Sequence, residues 1–281
     1  MRRGSHKLSR RLFLLLLYAV LTAGAVVMVA PFLWMVSTSL KAPHETFMLP
    51  PIWIPEDFRF ENYAEVFDRL PFFRFLLNTA TIAGLVTFGV LLSCSLTAFA
   101  LSRLRFRGRD LVFYILLATM IIPAPVTLVP IFAIMRRLEW TNTFLPLVVP
   151  AFFGGAFPVF LLRQFFMRIP RDLDEAAVMD GCSAFGIYWR VILPLGKPAL
   201  ATIGLISFMG AWNDFFGPLI YLYSIKKQTL TLGLATFQGY YATDWHLLMA
   251  ATVIVTLPIL LAFLFSQRFF VEGITMTGIK G

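Results

Sequence analysis

Apolar stretches without a charged residue recur along the chain, separated by short polar segments. They cover residues 12–40, 75–102, 111–135 and 140–162. Each exceeds the ~20 residues that a helix needs to cross the hydrocarbon of a bilayer. A fifth stretch runs from about 198 to 223, interrupted by Asp214, and a sixth covers roughly 247–267. Lipid offers a backbone no hydrogen-bond partners, so spans of this kind must be helical. The pattern predicts an all-α polytopic membrane protein with six transmembrane helices. Helix breakers fall inside several spans: Pro123, Pro125 and Pro130 in the third, Pro146, Pro150, Gly154, Gly155 and Pro158 in the fourth, Pro258 in the sixth. Each proline removes a donor. Two readings stay open, ordinary kinks or freed carbonyls lining a pathway.

Composition agrees with the pattern. Of 281 residues, 59% are hydrophobic and 14% charged, where a soluble domain carries about a quarter charged. The first run follows Arg2, Arg3, Lys7, Arg10 and Arg11, as in a signal peptide. It exceeds the 7–15 residues of a signal core, so a retained helix is expected. With six spans, segments 1–11, 103–110, 163–197 and 268–281 share one side and hold 16 of the 24 Lys and Arg residues. The richer side is expected to be cytoplasmic, with both termini on it. The net charge of +9 therefore reports orientation and not nucleic-acid binding, and Arg103, Arg105, Arg107 and Arg109 read as a topology anchor. The outer segment 41–74, with Pro43, Pro50, Pro51, Pro55 and Pro71, reads as an extended cap.

The chemistry of enzymes is missing from the sequence. Cys94 and Cys182 stand apart from other metal ligands, and His6, His44 and His246 are scattered. No metal site, cofactor or catalytic residue is implied. There is no His-Glu-x-x-His motif, no nucleophile elbow, and no Gly-rich phosphate loop ending in Lys-Ser or Lys-Thr. Asp214 is the one acidic residue inside a span. Sixteen residues beyond Pro198, at ~1.5 Å each, it lies in the outer third of the bilayer. Trp212, Asn213 and Asp214 can line an outer vestibule or mark the headgroup boundary. An ion-coupled secondary transporter would instead show repeats and ionisable groups at the midplane.

Segment 163–198 is too polar to span and too patterned to be a linker. A short helix is predicted over 171–180, with Asp172, Asp174 and Glu175 in its first turn, where they suit the helix dipole. Gly181 stops it, Ser183 caps a second helix, and Pro194 ends that one. Phe185, Tyr188, Trp189 and Ile192 form an apolar stripe at helical spacing. The result is a cytoplasmic helix–Gly–helix elbow. Its acidic end, Asp174, Glu175 and Asp180, gains nothing from an anionic leaflet and suits a basic groove on a partner protein.

The run Glu175-Ala176-Ala177, Asp180-Gly181, nine residues, then Val191-Ile192-Leu193-Pro194 resembles the signature loop of binding-protein-dependent ABC transporter permeases. Trp212-Asn213-Asp214 with Pro218-Leu219, Gln267-Arg268-Phe269-Phe270 and Gly278-Ile279-Lys280-Gly281 resemble its carbohydrate branch, which includes maltose-type and glycerol phosphate permeases. The resemblance implies a second permease subunit forming a heterodimer, ATP-binding cassette ATPase subunits, and an extracytoplasmic solute-binding protein. It implies coupling to the ATPase through Glu175, Ala176, Ala177, Asp180, Gly181, Leu193 and Pro194, and a C-terminal tail that reaches the ATPase. Phe237, Gln238, Tyr240 and Tyr241, in the last outer loop, become candidate contacts for the binding protein. The implied organisation is 1–74 (N-terminus, first span, outer loop), 75–270 (permease core with coupling loop 163–198) and 271–281 (tail). The implied function is that of a sugar or oligosaccharide permease subunit of an ATP-driven importer, with glycerol phosphate, an amino acid or a peptide as other solutes.

Overall fold

The computed structural model describes residues 3–238 and 243–275. Among these, the backbone is helical apart from turns and one isolated antiparallel bridge, Gln238 with Thr243. In chain order the helices are α1 (Arg3–Ser39), α2 (Glu61–Arg69), α3 (Phe72–Arg103), α4 (Arg109–Ala118), α5 (Ala124–Arg137), α6 (Leu145–Val148) and α7 (Ala156–Arg168). There follow α8 (Asp172–Met179), α9 (Ala184–Ile187), α10 (Leu193–Leu195), α11 (Lys197–Trp212), α12 (Phe216–Tyr221), α13 (Leu230–Thr236) and α14 (Trp245–Thr275).

Among the described residues, four helical stretches suffice to cross a membrane: Arg11–Ser39, Phe72–Arg103, Leu145–Arg168 and Trp245–Gln267. Two sharply bent pairs bring the number to six. The stretch expected as a third span is broken: Arg109–Ile121 and Pro125–Arg137 meet at 103°. Pro123 explains the break: Ile122 before it is extended, as a residue preceding proline is pushed to be, and Pro125 then sits in the first turn of α5, where a proline is tolerated. The fifth expected span also ends early. α11 stops at Trp212, and α12 begins only at Phe216.

Chain contacts divide the molecule into two compact units, Met1–Leu70 with Thr236–Val255, and Pro71–Ala235 with Thr256–Gly281. In the first, the proline-rich segment folds back on the end of α1. The buried Asn62 amide donates to Ser39 O at 2.9 Å and Lys41 O at 3.0 Å. Tyr63 Oη lies 2.8 Å from Ser39 Oγ. Trp34 and Trp53 meet edge to face, 5.1 Å between centroids. Arg69 joins Glu65 at 2.6 Å to Asp244 at 2.5 Å. Hydrogen bonding to Glu65, then to Asp244, raises the Arg69 pKa against the opposing effect of burial.

In the second unit, α3 is the central post. Its Cys94, Ala98, Phe99 and Leu101 pack with Phe113 of α4, Val159, Leu162 and Phe166 of α7, and Ala199 and Ile203 of α11. Burying one large aliphatic or aromatic side chain contributes about 1.5–3 kcal/mol in water. Between helices in lipid, close van der Waals packing and polar contacts take over that role. Arg163 is such a contact. Its Nε donates to Leu101 O at 3.1 Å, its guanidinium lies 4.0 Å from the Phe113 ring centroid, and Asp110 is 3.5 Å away.

Candidate functional site

The segment 172–195 folds as two short helical arms joined at Gly181. α8 closes with a Schellman arrangement: Cys182 N donates to Ala177 O and Gly181 N to Val178 O, both at 2.9 Å. That closure requires a left-handed residue, and Gly181 has φ +80°, where a side chain is disfavoured. Ser183 then caps the second arm, its Oγ accepting from Gly186 N at 3.2 Å.

The second arm contains a π-helical turn, Tyr188–Ile192, in which Leu193 N reaches back five residues to Tyr188 O. Pro194 was expected to end the helix, yet helical backbone runs through it to Leu195. The wider π turn supplies the reason. It moves aside the carbonyl against which a proline ring clashes in an α-helix. The actual corner is Gly196, where Ala184–Leu195 and Lys197–Trp212 meet at 78°. A Cβ there would stand 2.7 Å from Phe166 Cε1 and 2.9 Å from Ile192 O.

The stripe expected as one docking face divides in two. Tyr188 and Ile192 turn inward, 3% and 0% exposed, whereas Phe185 and Trp189 are 64% and 62% exposed. Tyr188 Oη lies 2.8 Å from Ser95 Oγ of α3, and its ring is 5.3 Å from that of Phe99. The acidic end divides likewise. Asp174 was expected to face a partner, but its Oδ2 meets Arg103 Nη1 at 3.0 Å. Arg103 also donates through Nη2 to Ile169 O at 2.7 Å and to Phe166 O. Glu175 and Asp180 are exposed, as is Ala176, whereas Ala177 is buried against the core. Between α8 and the end of α3 lies a groove of about 530 Å³, with Arg103, Arg105, Arg171 and Glu175 among its walls.

The other predicted residues lie elsewhere. Trp212 is buried beside Phe208, with ring centroids 5.3 Å apart. Asn213 is exposed and donates to Met209 O at 2.9 Å. Asp214 Oδ1 accepts from Gly217 N at 3.1 Å, holding the first turn of α12, and the residue borders a cavity of about 250 Å³ with Ile82, Gly210 and Thr229. Phe237 is buried and Gln238 exposed. Tyr240, Tyr241 and the tail residues 276–281 lie outside the described residues.

This geometry belongs to a chain with known relatives. Residues 86–276 match the family described as "Binding-protein-dependent transport system inner membrane component". The chain belongs to that family. It is 34% identical over 253 residues to the sulfoquinovosyl glycerol transport system permease protein SmoH of Agrobacterium fabrum, covering 89% of this chain and 88% of the relative. It is 34% identical over 273 residues to the trehalose/maltose transport system permease protein MalG of Thermococcus litoralis, covering 95% and 96%. The crystal structure of a bacterial ABC transporter that imports the acidic polysaccharide alginate contains a chain matching at TM-score 0.82 and 26% identity, over 93% of this chain and 98% of that one. As a family member, this permease is a multi-pass inner-membrane transport component and not an enzyme.

Sequence reasoning missed Arg103, Tyr188 with Ser95, and Gly196 as determinants of the permease elbow. Arg103 had one signal, its place at the junction between a long apolar span and a basic run, but its partner lies 71 residues away. Tyr188 was read within the apolar stripe, but nothing pointed to Ser95, 93 residues away, and Gly196 carried no signal beyond its residue type.

Proposed function

We propose that this chain is a permease subunit of an ATP-driven importer that forms, with a second permease, the translocation path for a sugar or oligosaccharide. The names of its relatives support that solute class: they include permeases for sulfoquinovosyl glycerol, arabinooligosaccharides and trehalose/maltose. An extracytoplasmic solute-binding protein delivers the solute, consistent with the alginate transporter solved with its loaded periplasmic protein. Both termini and the elbow are cytoplasmic in this reading, supported by the excess of Lys and Arg on that set of loops.

The elbow couples the permease to separate ATPase subunits. The observation that carries this reading is its two-sidedness. One side is bolted to α3 by Arg103–Asp174 and Tyr188–Ser95. The other exposes Glu175, Met179, Asp180, Phe185 and Trp189 together. Such a rim of apolar anchors and carboxylates fits a basic-edged groove. When ATP closes the ATPase dimer, the elbow moves with it as a rigid body. The bolts carry the displacement into α3, α7 and α11, and the cavity exchanges one opening for the other. The free energy comes from tighter ATP binding by the closed state.

Leu193 and Pro194 hold the second arm's direction, and Gly181 holds the angle between the arms. Trp212, Asn213 and Asp214 belong to the rim of the path, where Asp214 keeps α12 in place. The loop around Phe237, Gln238, Tyr240 and Tyr241 meets the binding protein, its base fixed by the bridge of Gln238 with Thr243.

The test is to purify the assembled complex carrying Glu175→Lys or Gly181→Val and to measure copurified ATPase, ATP hydrolysis and uptake. Loss of ATPase with Glu175→Lys and loss of coupling with Gly181→Val are expected. Full uptake in both variants would refute the docking role.

A further inference from the structure

The turn between α3 and α4 carries a charge excess beyond the Arg103–Asp174 pair of the elbow. Arg105, Arg107 and Arg109 meet Arg171, the residue before α8, around an open hollow of about 690 Å³. Asp110 is the one acid in its wall, and it already faces Arg109 at 3.2 Å and Arg163 at 3.5 Å. Arg105, Arg107 and Arg171 have no ion-pair partner among the described residues. Gly108, at φ +83°, makes the tight turn that gathers these side chains. Directly beyond the hollow, α4 exposes Leu111 at 63%, Tyr114 at 66% and Ile115 at 58%.

We infer that this hollow holds the phosphate of an anionic phospholipid of the surrounding bilayer. Arginine is suited to phosphate because its planar fork donates two parallel hydrogen bonds. Three unpaired guanidiniums around one concavity supply donors for all free oxygens of a phosphodiester. The exposed apolar face of α4 continues from the hollow along the spanning direction and accommodates acyl chains. An acidic protein segment would match the charges but would leave that apolar face unused. Basic pockets at the ends of spanning helices are general recognition sites for such headgroups.

The site also touches the elbow. Arg171 O accepts from Asp174 N at 2.9 Å and Glu175 N at 3.1 Å in the first turn of α8. Arg105 and Arg171 line the neighbouring groove under α8 as well. A headgroup there relieves repulsion among the arginines and steadies the start of α8. This consequence for coupling rests on the function proposed above, whereas the headgroup site does not.

The assembled transporter is reconstituted in nanodiscs of phosphatidylcholine with or without phosphatidylglycerol. Retained lipid is counted by native mass spectrometry, and binding-protein-stimulated ATP hydrolysis is measured. Wild type is expected to retain phosphatidylglycerol selectively, with a loss of about fivefold for each arginine removed in Arg171→Gln and in Arg105→Gln with Arg107→Gln. Arg171→Gln leaves the 103–109 run intact, so altered orientation cannot imitate the result. No selective retention by wild type overturns the inference. Equal retention by the variants overturns it as well. Competition by millimolar inorganic phosphate that empties the site of lipid identifies a free-anion site and also overturns it. Loss of retention with unchanged ATP hydrolysis upholds the headgroup site and counts against coupling through α8.

Discussion

Arg103, in the last turn of α3, grips Asp174 of α8 at 3.0 Å with 4% of its own side chain exposed. One carboxylate thus ties the elbow to the helix at the centre of the second unit. The remaining Asp174 oxygen, Oδ1, is buried without a partner among the described residues, so the pair is under-solvated and depends on its single direct contact.

Replacing Asp174 with Ala leaves that buried guanidinium without its counter-charge, held only by the carbonyls of Phe166 and Ile169, a change that costs about 3 kcal/mol. The melting temperature of the purified complex is expected to fall. Asp174→Asn, which keeps an oxygen but no charge, should fall less. An unchanged melting temperature for Asp174→Ala would show that the contact contributes nothing.

The split of the aromatic stripe separates a packed ring from the exposed rings proposed to dock. Tyr188→Phe deletes the hydroxyl facing Ser95 and is expected to cost about 0.5–1.5 kcal/mol, read as a lower melting temperature with ATPase copurification intact. Phe185→Ala with Trp189→Ala removes exposed rings and should do the reverse. The same response in both variants would contradict the division.

Gly196→Ala places a methyl group 2.7 Å from the Phe166 ring and 2.9 Å from a backbone carbonyl. Phe166 is fully buried and cannot swing away. Overpacking of this kind costs about 1–3 kcal/mol. Adding Phe166→Leu should recover part of the lost thermal stability, because it relieves one of the two close approaches.

Lys41 supplies a dependence on pH. Its ammonium is buried 3.8 Å over the Trp34 ring centroid, without a hydrogen-bond partner among the described residues. Burial lowers its pKa from 10.5, more than the charge of Glu45 raises it. Between the lowered pKa and 10.5, the unfolded chain binds more protons than the folded one, so stability rises with pH across that window. Melting temperatures taken from neutral to alkaline pH should show this rise in wild type. Lys41→Met should flatten it and raise stability at neutral pH.

The spans were legible where apolar residues run without interruption. The expected 12–40, 75–102 and 247–267 correspond to α1, α3 and α14, because lipid leaves a long apolar chain no choice but helix. The prolines at 123 and 125 announced a break in the third span, but proline chemistry alone does not set an angle of 103°. In the elbow, the cap at Ser183 and the turn at Gly181 were readable, because both depend on neighbours within a few residues. The inward turn of Asp174 was not, since Arg103 belongs to another helix. Nor was the split stripe. A period of 3.6 residues was assumed where the chain winds a wider turn.

That wider turn makes the elbow sensitive to counting. Each residue added to or removed from 188–192 would rotate everything beyond it by up to about 100°, exchanging Ile192's successors between core and water. The nine residues between Gly181 and Val191 therefore act as a phase setting. Many side chains could be exchanged there at small cost, but a single deletion would turn α8 away from the direction that the second arm hands on to α11.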